Sequence, residues 1–183
     1  MKIICYGGVG EIGGNKILLE VAGHNLMLDF GISYNQKGKY FEEYLQPRSQ
    51  SALHDYLELG LLPKIDGIYR EDAFSPAIEP DLGRSEPFWQ SDLASFREYK
   101  EAHGNSFLDA LLITHGHDDH HSLSAFLGPT PTYCSKETET LMKVSQKIGN
   151  YSGFEGELTY LQRRMLDQYG NRGYFPGADK VVK

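Results

Sequence analysis

Residues 115–120 read HGHDDH, and they follow the apolar run ALLI at residues 110–113, with Thr114 in between. A short apolar run that ends abruptly in polar residues is typical of a buried strand that reaches the edge of a sheet. Imidazole and carboxylate are the usual nitrogen and oxygen ligands of Zn²⁺ and related ions. Two histidines spaced i, i+2 on extended backbone point to the same side, so His115 and His117 are placed to bind one ion. The motif therefore predicts a metal site at the end of a buried strand.

Asp119 and His120 follow at a predicted turn into a helix, beside the first pair of histidines. From there they can reach a second ion, and two metal ions about 3.5–4 Å apart form a clamp for hydrolysing phosphate esters and acyl bonds. Asp118 falls at the free position of the pattern, and His121 lies beyond it. For both we expect a solvated or supporting role rather than a ligand role.

The chain opens with a strand-like run and then the glycine-rich sequence GGVGEIGGN at residues 7–15, called the glycine loop below. Residues 8–13 match the GxGxxG pattern of dinucleotide-binding loops, and Asp29 follows at a plausible distance for a ribose-binding acid. A dinucleotide site needs the last glycine to open a helix, whereas residues 16–21 lack helical periodicity and predict a strand. We therefore expect a tight loop, either a plain turn or one whose backbone N–H groups lie near a metal or a phosphate.

The HxHxDH motif after an apolar strand resembles the signature of the metallo-β-lactamase fold. Together with the glycine loop and the run LDFG at residues 28–31, it is most similar to the RNase J-like and β-CASP branch of RNA-processing nucleases. The resemblance covers about residues 2–35 and 108–148. It implies an α/β fold in which residues 1–183 form the N-terminal portion, the first half, of an αββα sandwich, with residues 36–107 as a long insert within it.

The resemblance also implies roles for individual residues. His115 and His117 would bind the first metal ion, and Asp119 and His120 the second, with Zn²⁺ as the expected metal, two ions per complete site, and Mn²⁺ as an alternative. Asp119 and Asp29 would be the catalytic carboxylates, Asp29 acting by orienting the metal ligands. The implied substrate is RNA, cleaved by an endo- or exonuclease through attack of a metal-bound hydroxide on phosphorus.

The chain departs from this family in one large way. The family completes its site with a further histidine, a bridging aspartate and a last histidine downstream, whereas no histidine follows His121 in this sequence. Either the chain is a fragment of a longer enzyme or it is an incomplete paralogue, and we favour the fragment because residues 179–183 predict the start of another strand. The remainder of the domain would then lie downstream, and we expect the fragment alone to be inactive.

Composition limits the other function classes. Apolar content is 40% and charged content 23%, which is ordinary for a globular domain, and no apolar run is long enough for a membrane helix. Cys5 and Cys134 are the two cysteines, and they predict no disulfide framework, which favours the cytoplasm. A net charge of −7 argues against a broad basic surface for nucleic acid. A small-molecule hydrolase that cleaves a thioester or lactone, and a non-catalytic binding module, therefore stay open as alternatives.

Periodicity and capping residues predict the elements around the motif. Residues 2–6, 16–21 and 25–30 predict a β-meander at a sheet edge, and Asp118 is the expected N-cap of a helix. The predicted strands are completed by residues 108–113 and 130–134, and the predicted helices are 118–127, 135–148 and, from the spacing of Leu158, Leu161, Met165 and Tyr169, a last helix that ends at Gly170.

The insert at residues 36–107 is rich in aromatic residues and prolines, and residues 51–59 and 91–103 predict helices within it. Two interpretations are open. The aromatic side chains bury the insert against the domain, which we favour, or together with Arg48 and Arg70 they stack bases and bind phosphates.

Overall fold

The computed structural model describes residues 1–41, 45–47, 52–74 and 91–149, and four short segments after them, 160–162, 164–166, 172–174 and 180–182. The strands are β1 Lys2–Gly7, β2 Lys16–Val21, β3 His24–Leu28, β4 Ala110–Leu112, β5 Thr132–Tyr133, β6 Tyr160–Gln162, β7 Arg164–Leu166, β8 Arg172–Tyr174 and β9 Lys180–Val182. The α-helices are α1 Tyr34–Lys37, α2 Ala52–Glu58, α3 Phe96–His103, α4 Asp118–His121 and α5 Lys136–Ile148, and 3₁₀ turns span Glu71–Ala73 and Ser122–Phe126.

The chain is a mixed α/β protein built on an open sheet, which in the described residues has five strands in the order β1-β2-β3-β4-β5. The first three strands form an antiparallel meander, and β4 and β5 add to it in parallel. Because β3 and β4 run parallel, with Leu28 opposite Leu112, the residues that follow them emerge at the same edge of the sheet. Asp29, which follows β3, and the HGHDDH motif (residues 115–120, the metal motif below), which follows β4, both lie at this edge.

The predicted meander is confirmed, and the turn between β2 and β3 explains why the sequence predicts it. Ala22 and Gly23 both have positive φ, at 49° and 84°, which is the geometry of a two-residue type I′ hairpin turn. Such a turn matches the right-handed twist of the strands and fixes the register, so that Val21 pairs with His24. Within β2, Leu18 points into the core while Val21 is exposed at the end of the strand.

The capped helices α3 and α5 end at the predicted residues and α5 also begins as predicted, whereas α3 begins at Phe96, five residues after the predicted start at residue 91. Ser95 and Glu98 form a capping box at the start of α3, and Gly104, with φ of 79°, ends it in the left-handed conformation. Ser135 caps α5 by accepting a hydrogen bond from the Thr138 N–H. These bonds lie within a few residues of one another along the chain, so the local sequence is sufficient to set the helix ends.

Two helix predictions are wrong. The predicted helix 118–127 is a single α-turn, α4, followed by a 3₁₀ turn, and its N-cap residue is His117 rather than Asp118. The last predicted helix is replaced by strands, because Leu161 lies in β6, which pairs with β9, and Met165 in β7, which pairs with β8. Leu158, Tyr169 and Gly170 lie outside the described residues. The predicted strand at the end of the chain is confirmed as β9.

Part of the insert contributes to the core, as the favoured interpretation expects for its aromatic side chains. Tyr56 and Tyr69 are fully buried, and Tyr56 packs edge to face on Phe126, with ring centroids 5.7 Å apart. Arg70 is also buried, and its guanidinium donates to the Ala125 carbonyl at 3.3 Å, so it is not exposed to bind a phosphate. Arg48 lies outside the described residues.

Two further observations concern the chain as a whole. Cys5 and Cys134 are both free and exposed, in line with the absence of a disulfide framework expected from the sequence. Among the helices in the described part of the chain, none is long and apolar enough to cross a membrane.

Candidate metal centre

Asp29 stands at the carboxyl end of β3 in an unusual backbone conformation. Its φ is 56°, a left-handed value that is uncommon for residues other than glycine and costs about 1–3 kcal/mol when imposed on one. The side chain is buried, and its carboxylate accepts hydrogen bonds from the Thr114 backbone N–H at 2.8 Å and the Thr114 hydroxyl at 2.9 Å. These bonds tie the end of β3 to the residue that precedes the metal motif.

The same carboxylate orients His120. The Asp29 Oδ2 atom lies 2.7 Å from the His120 Nδ1 atom. When a neutral His120 donates its Nδ1–H to this carboxylate, the lone pair of the imidazole is on Nε2. Nε2 in turn lies 3.7 Å from the Asp119 carboxylate. Metal-binding histidines are usually held in this way, with one ring nitrogen donating to a carboxylate and the other available to the ion.

The remaining histidines of the motif lie beside this pair. The ring centroids of His115 and His120 are 3.9 Å apart, and those of His115 and His117 are 4.7 Å apart. The Thr114 hydroxyl lies 3.0 Å from the His115 Nδ1 atom. The structure thus brings together the residues singled out from the sequence: His115, His117, Asp119 and His120, with Asp29 behind His120.

The donor atoms themselves do not form a ligand set in this arrangement. Within the described residues, no group of three or more histidine, cysteine, aspartate or glutamate side chains is placed so that it could hold a metal ion. The chemistry of the donors, imidazole nitrogen and carboxylate oxygen, fits Zn²⁺ or Mn²⁺. The centre is therefore a cluster of suitable side chains whose nitrogen and oxygen atoms do not converge on one point in this structure.

Glycines let the backbone approach the motif closely. A Cβ atom on Gly31 would overlap the backbone carbonyl of Asp119, and one on Gly13 would overlap the Asp119 side chain. The Gly14 N–H donates to the Asp119 carbonyl at 2.8 Å, and the Phe30 N–H donates to the His120 carbonyl at 2.7 Å. The glycine loop and the LDFG run thus support the metal motif through their backbones. The loop leads into β2, which confirms the strand predicted for residues 16–21.

A hydrogen-bonded network holds the glycine loop in place. Glu11 accepts from the Ser33 hydroxyl at 2.7 Å, from the Gln36 amide at 3.3 Å and from the Gly8 N–H at 3.4 Å. The hydrogen bond from Ser33, ahead of the other contacts, lowers the pKa of Glu11 and keeps it ionised. Lys16 lies buried beneath the loop and donates to the Gly14 carbonyl at 3.2 Å, and burial lowers its pKa to about 8.

His121 directly follows the metal motif and lies near Asp118. His121 is fully buried, and neither of its ring nitrogens has a hydrogen-bond partner among the described residues. Its Nε2 atom lies 3.8 Å from the Asp118 carboxylate, and burial lowers the pKa of His121, so the ring is neutral. A solvated role, one of the two expected from the sequence, is therefore excluded for His121.

Thr114 and Asn15 also belong to the site, and sequence reasoning missed both. Thr114 bonds to Asp29 and lies near His115 and His120, while the Asn15 amide nitrogen is 3.3 Å from the His120 Nδ1 atom. The signal for Thr114 was its place, as the polar residue between a buried strand and the first histidine.

Comparisons with family models and with curated proteins gave no match to this chain.

Proposed function

We propose that this chain carries part of the active site of a dinuclear-metal-dependent hydrolase with the metallo-β-lactamase fold, most similar to the RNA-processing nucleases. The observation that supports this best is the contact between Asp29 and His120, because it leaves His120 Nε2 on the side of Asp119. Metal-binding histidines almost always donate their second ring N–H to a carboxylate, a carbonyl or water, as His120 does here to Asp29.

The residues have distinct proposed tasks. His115 and His117 would hold the first ion, and Asp119 and His120 would hold the second. Asp29 holds His120 in the correct tautomer. Bound Zn²⁺ or Mn²⁺ would supply a low pKa for water and positive charge to stabilise the transition state. With two protein donors for each ion, the remaining ligand positions would be taken by water.

A second candidate is a non-catalytic binding module. It is favoured by one observation, namely that the described residues contain no assembled group of three metal-binding side chains. Catalytic zinc sites generally have three protein ligands, so a chain limited to pairs of donors would bind ions weakly and turn over slowly. Metal affinity and hydrolysis must therefore be measured separately.

The test compares Asp119→Asn, Asp29→Ala and the neighbouring control Asp118→Asn in the intact protein. Mn²⁺ affinity is measured by calorimetry, and hydrolysis is measured on single-stranded RNA, a thioester and a lactone. We expect Asp119→Asn to lower RNA hydrolysis at least about 100-fold, because it removes a ligand charge, and Asp29→Ala to lower it about 10–100-fold. Asp118→Asn should stay close to wild type.

Each alternative has its own outcome. If RNA stays intact while the thioester or lactone is cleaved, the protein is a small-molecule hydrolase. If ions bind through Asp119 but no substrate is cleaved, the binding module is correct. Full RNA hydrolysis by Asp119→Asn would show that the dinuclear assignment is wrong.

A further inference from the structure

The residues just after the Asp29 strand have an unusual composition for this acidic chain. Residues 34–40, called the tyrosine–lysine segment below, read YNQKGKY, with a tyrosine at each end and lysines between them. No aspartate or glutamate occurs from residue 30 to residue 41, although the chain carries a net charge of −7. Tyr34 is 59% exposed and Tyr40 43% exposed. Interleaved aromatic and basic side chains of this kind are typical of surfaces that bind single-stranded nucleic acid.

The segment lies next to the metal motif. The Phe30 N–H donates to the His120 carbonyl, and the Ile32 N–H to the Asp118 carbonyl at 3.5 Å, so the backbone that leads into the segment is bonded to the motif. Tyr34 follows Ile32 by two residues, which places their Cα atoms within about 8 Å of each other. A polymer that lies along the segment would therefore pass close to the candidate metal centre.

Hydrogen bonds fix the segment in one conformation. Ser33 caps α1 by accepting from the Gln36 N–H at 3.2 Å, and its hydroxyl donates to Glu11 of the glycine loop. Gln36 donates to Glu11 as well and accepts from the Lys39 ammonium at 2.7 Å. The Tyr40 N–H donates to the Lys37 carbonyl at 3.1 Å and closes the turn. A preorganised surface loses little conformational entropy when it binds a ligand.

We propose that the tyrosine–lysine segment is the site that binds single-stranded nucleic acid and leads it to the metal centre. Lys37 and Lys39 bind backbone phosphates, and Tyr34 and Tyr40 stack on bases. This inference rests on the proposed function, since it names the part of the surface that holds the RNA substrate. Within residues 30–41 the two lysines carry the only formal charges, whereas the chain as a whole has a net charge of −7.

The test measures binding of a fluorescein-labelled single-stranded RNA by anisotropy, with EDTA present so that the metal motif does not contribute. The variants are Tyr34→Leu, Tyr40→Leu, the matching Tyr→Phe changes, and Lys37→Gln/Lys39→Gln, with Lys64→Gln/Lys100→Gln as the matched control for charge. Each Tyr→Leu change should weaken binding about 5- to 20-fold while Tyr→Phe keeps it, because stacking needs the ring. The Lys37→Gln/Lys39→Gln variant should reduce the slope of log K against log salt by about 1.4.

The inference is overturned if the wild-type chain does not bind the RNA at low salt. It is equally overturned if Tyr→Leu and Tyr→Phe bind alike and the salt slope of Lys37→Gln/Lys39→Gln equals that of its control. Cleavage with Mn²⁺ separates this result from the proposed function. Cleaved RNA with unaffected variants rejects the segment alone, whereas segment-dependent binding supports the segment whether or not this chain cleaves the RNA.

Discussion

Aspartate suits position 29 for two separate reasons. Its backbone has a φ of 56°, which aspartate tolerates better than most residues, and its carboxylate spans Thr114 on one side and His120 on the other. Alanine would retain the strained backbone without the bonds that offset it. The backbone conformation and the role in the metal centre therefore favour the same residue type.

Lys16 provides a test of stability against pH. Burial lowers its pKa from 10.5 to about 8 in the folded chain. Between these values the unfolded chain binds more protons than the folded one, so the stability of the wild type should rise as the pH increases from 8 towards 10.5. The shift corresponds to a gain of order 3 kcal/mol. Lys16→Met removes the buried charge and should be more stable than wild type at neutral pH.

The measurement is urea unfolding at several pH values from neutral to alkaline, for wild type, Lys16→Met and the exposed control Lys64→Met. The advantage of Lys16→Met should shrink steadily as the pH rises, while Lys64→Met should follow the wild type. Parallel curves for wild type and Lys16→Met would show that Lys16 keeps an ordinary pKa in the folded protein.

The site residues differ in how well the sequence predicts that they lie close together. His115, His117, Asp119 and His120 form one contiguous pattern, so their proximity in space was predictable. Contacts between distant parts of the chain were harder to read. Thr114 and Asn15 have no distinctive spacing, and their places depend on β3 pairing with β4 and on the glycine loop reaching the motif.

At the scale of elements, Gly31 is where the LDFG run meets the metal motif. A Cβ atom there would overlap the backbone of Asp119 and His120, which cannot move aside as a flexible side chain does. Gly31→Ala should therefore push the two segments apart, destabilise the fold by about 1–3 kcal/mol and weaken Mn²⁺ binding. The measurements are urea unfolding and calorimetry.

Gly10→Ala is the control for this change. Gly10 has a φ of 73° but open space around its Cα, so alanine there meets only backbone strain, of about 1–2 kcal/mol. It should lower stability without changing Mn²⁺ affinity. Equal metal affinity in Gly31→Ala and wild type would contradict the close fit between the LDFG run and the motif.

The meander and α5 are set by local bonds and were predicted, whereas β6 and β7, which pair with later strands, were predicted as a helix. The meander depends on a two-residue turn and α5 on the Ser135 cap, both visible in the sequence. The apolar spacing at residues 158–169 fits a helix, but β6 and β7 pair with later strands, a contact that periodicity does not reveal. α4 stops after one turn, where the His120 carbonyl accepts the N–H of Phe30.

At the scale of the whole molecule, the parallel pairing of β3 and β4 is what gathers the site. It places Asp29 and the metal motif at one edge of the sheet. The glycine loop lies at the same edge, because it is hydrogen-bonded to Asp119. The tyrosine–lysine segment lies beside the loop, because Ser33, which caps its helix, is hydrogen-bonded to Glu11. If this edge binds ions, the ions connect parts of the chain that are far apart in sequence. Metal binding should therefore stabilise the entire fold, because the unfolded chain cannot present these groups together.

Thermal unfolding with increasing Mn²⁺ measures this stabilisation without any substrate. An ion at about 100 times its dissociation constant adds about 2.7 kcal/mol, which raises the Tm of a chain this size by roughly 5–10 °C. We expect this rise in wild type, at millimolar Mn²⁺ because each ion has few protein donors. His115→Ala/His117→Ala should lose most of it, whereas His24→Ala/His103→Ala, which removes exposed histidines elsewhere, should keep it. An equal rise in both double variants would place the bound ions outside the metal motif.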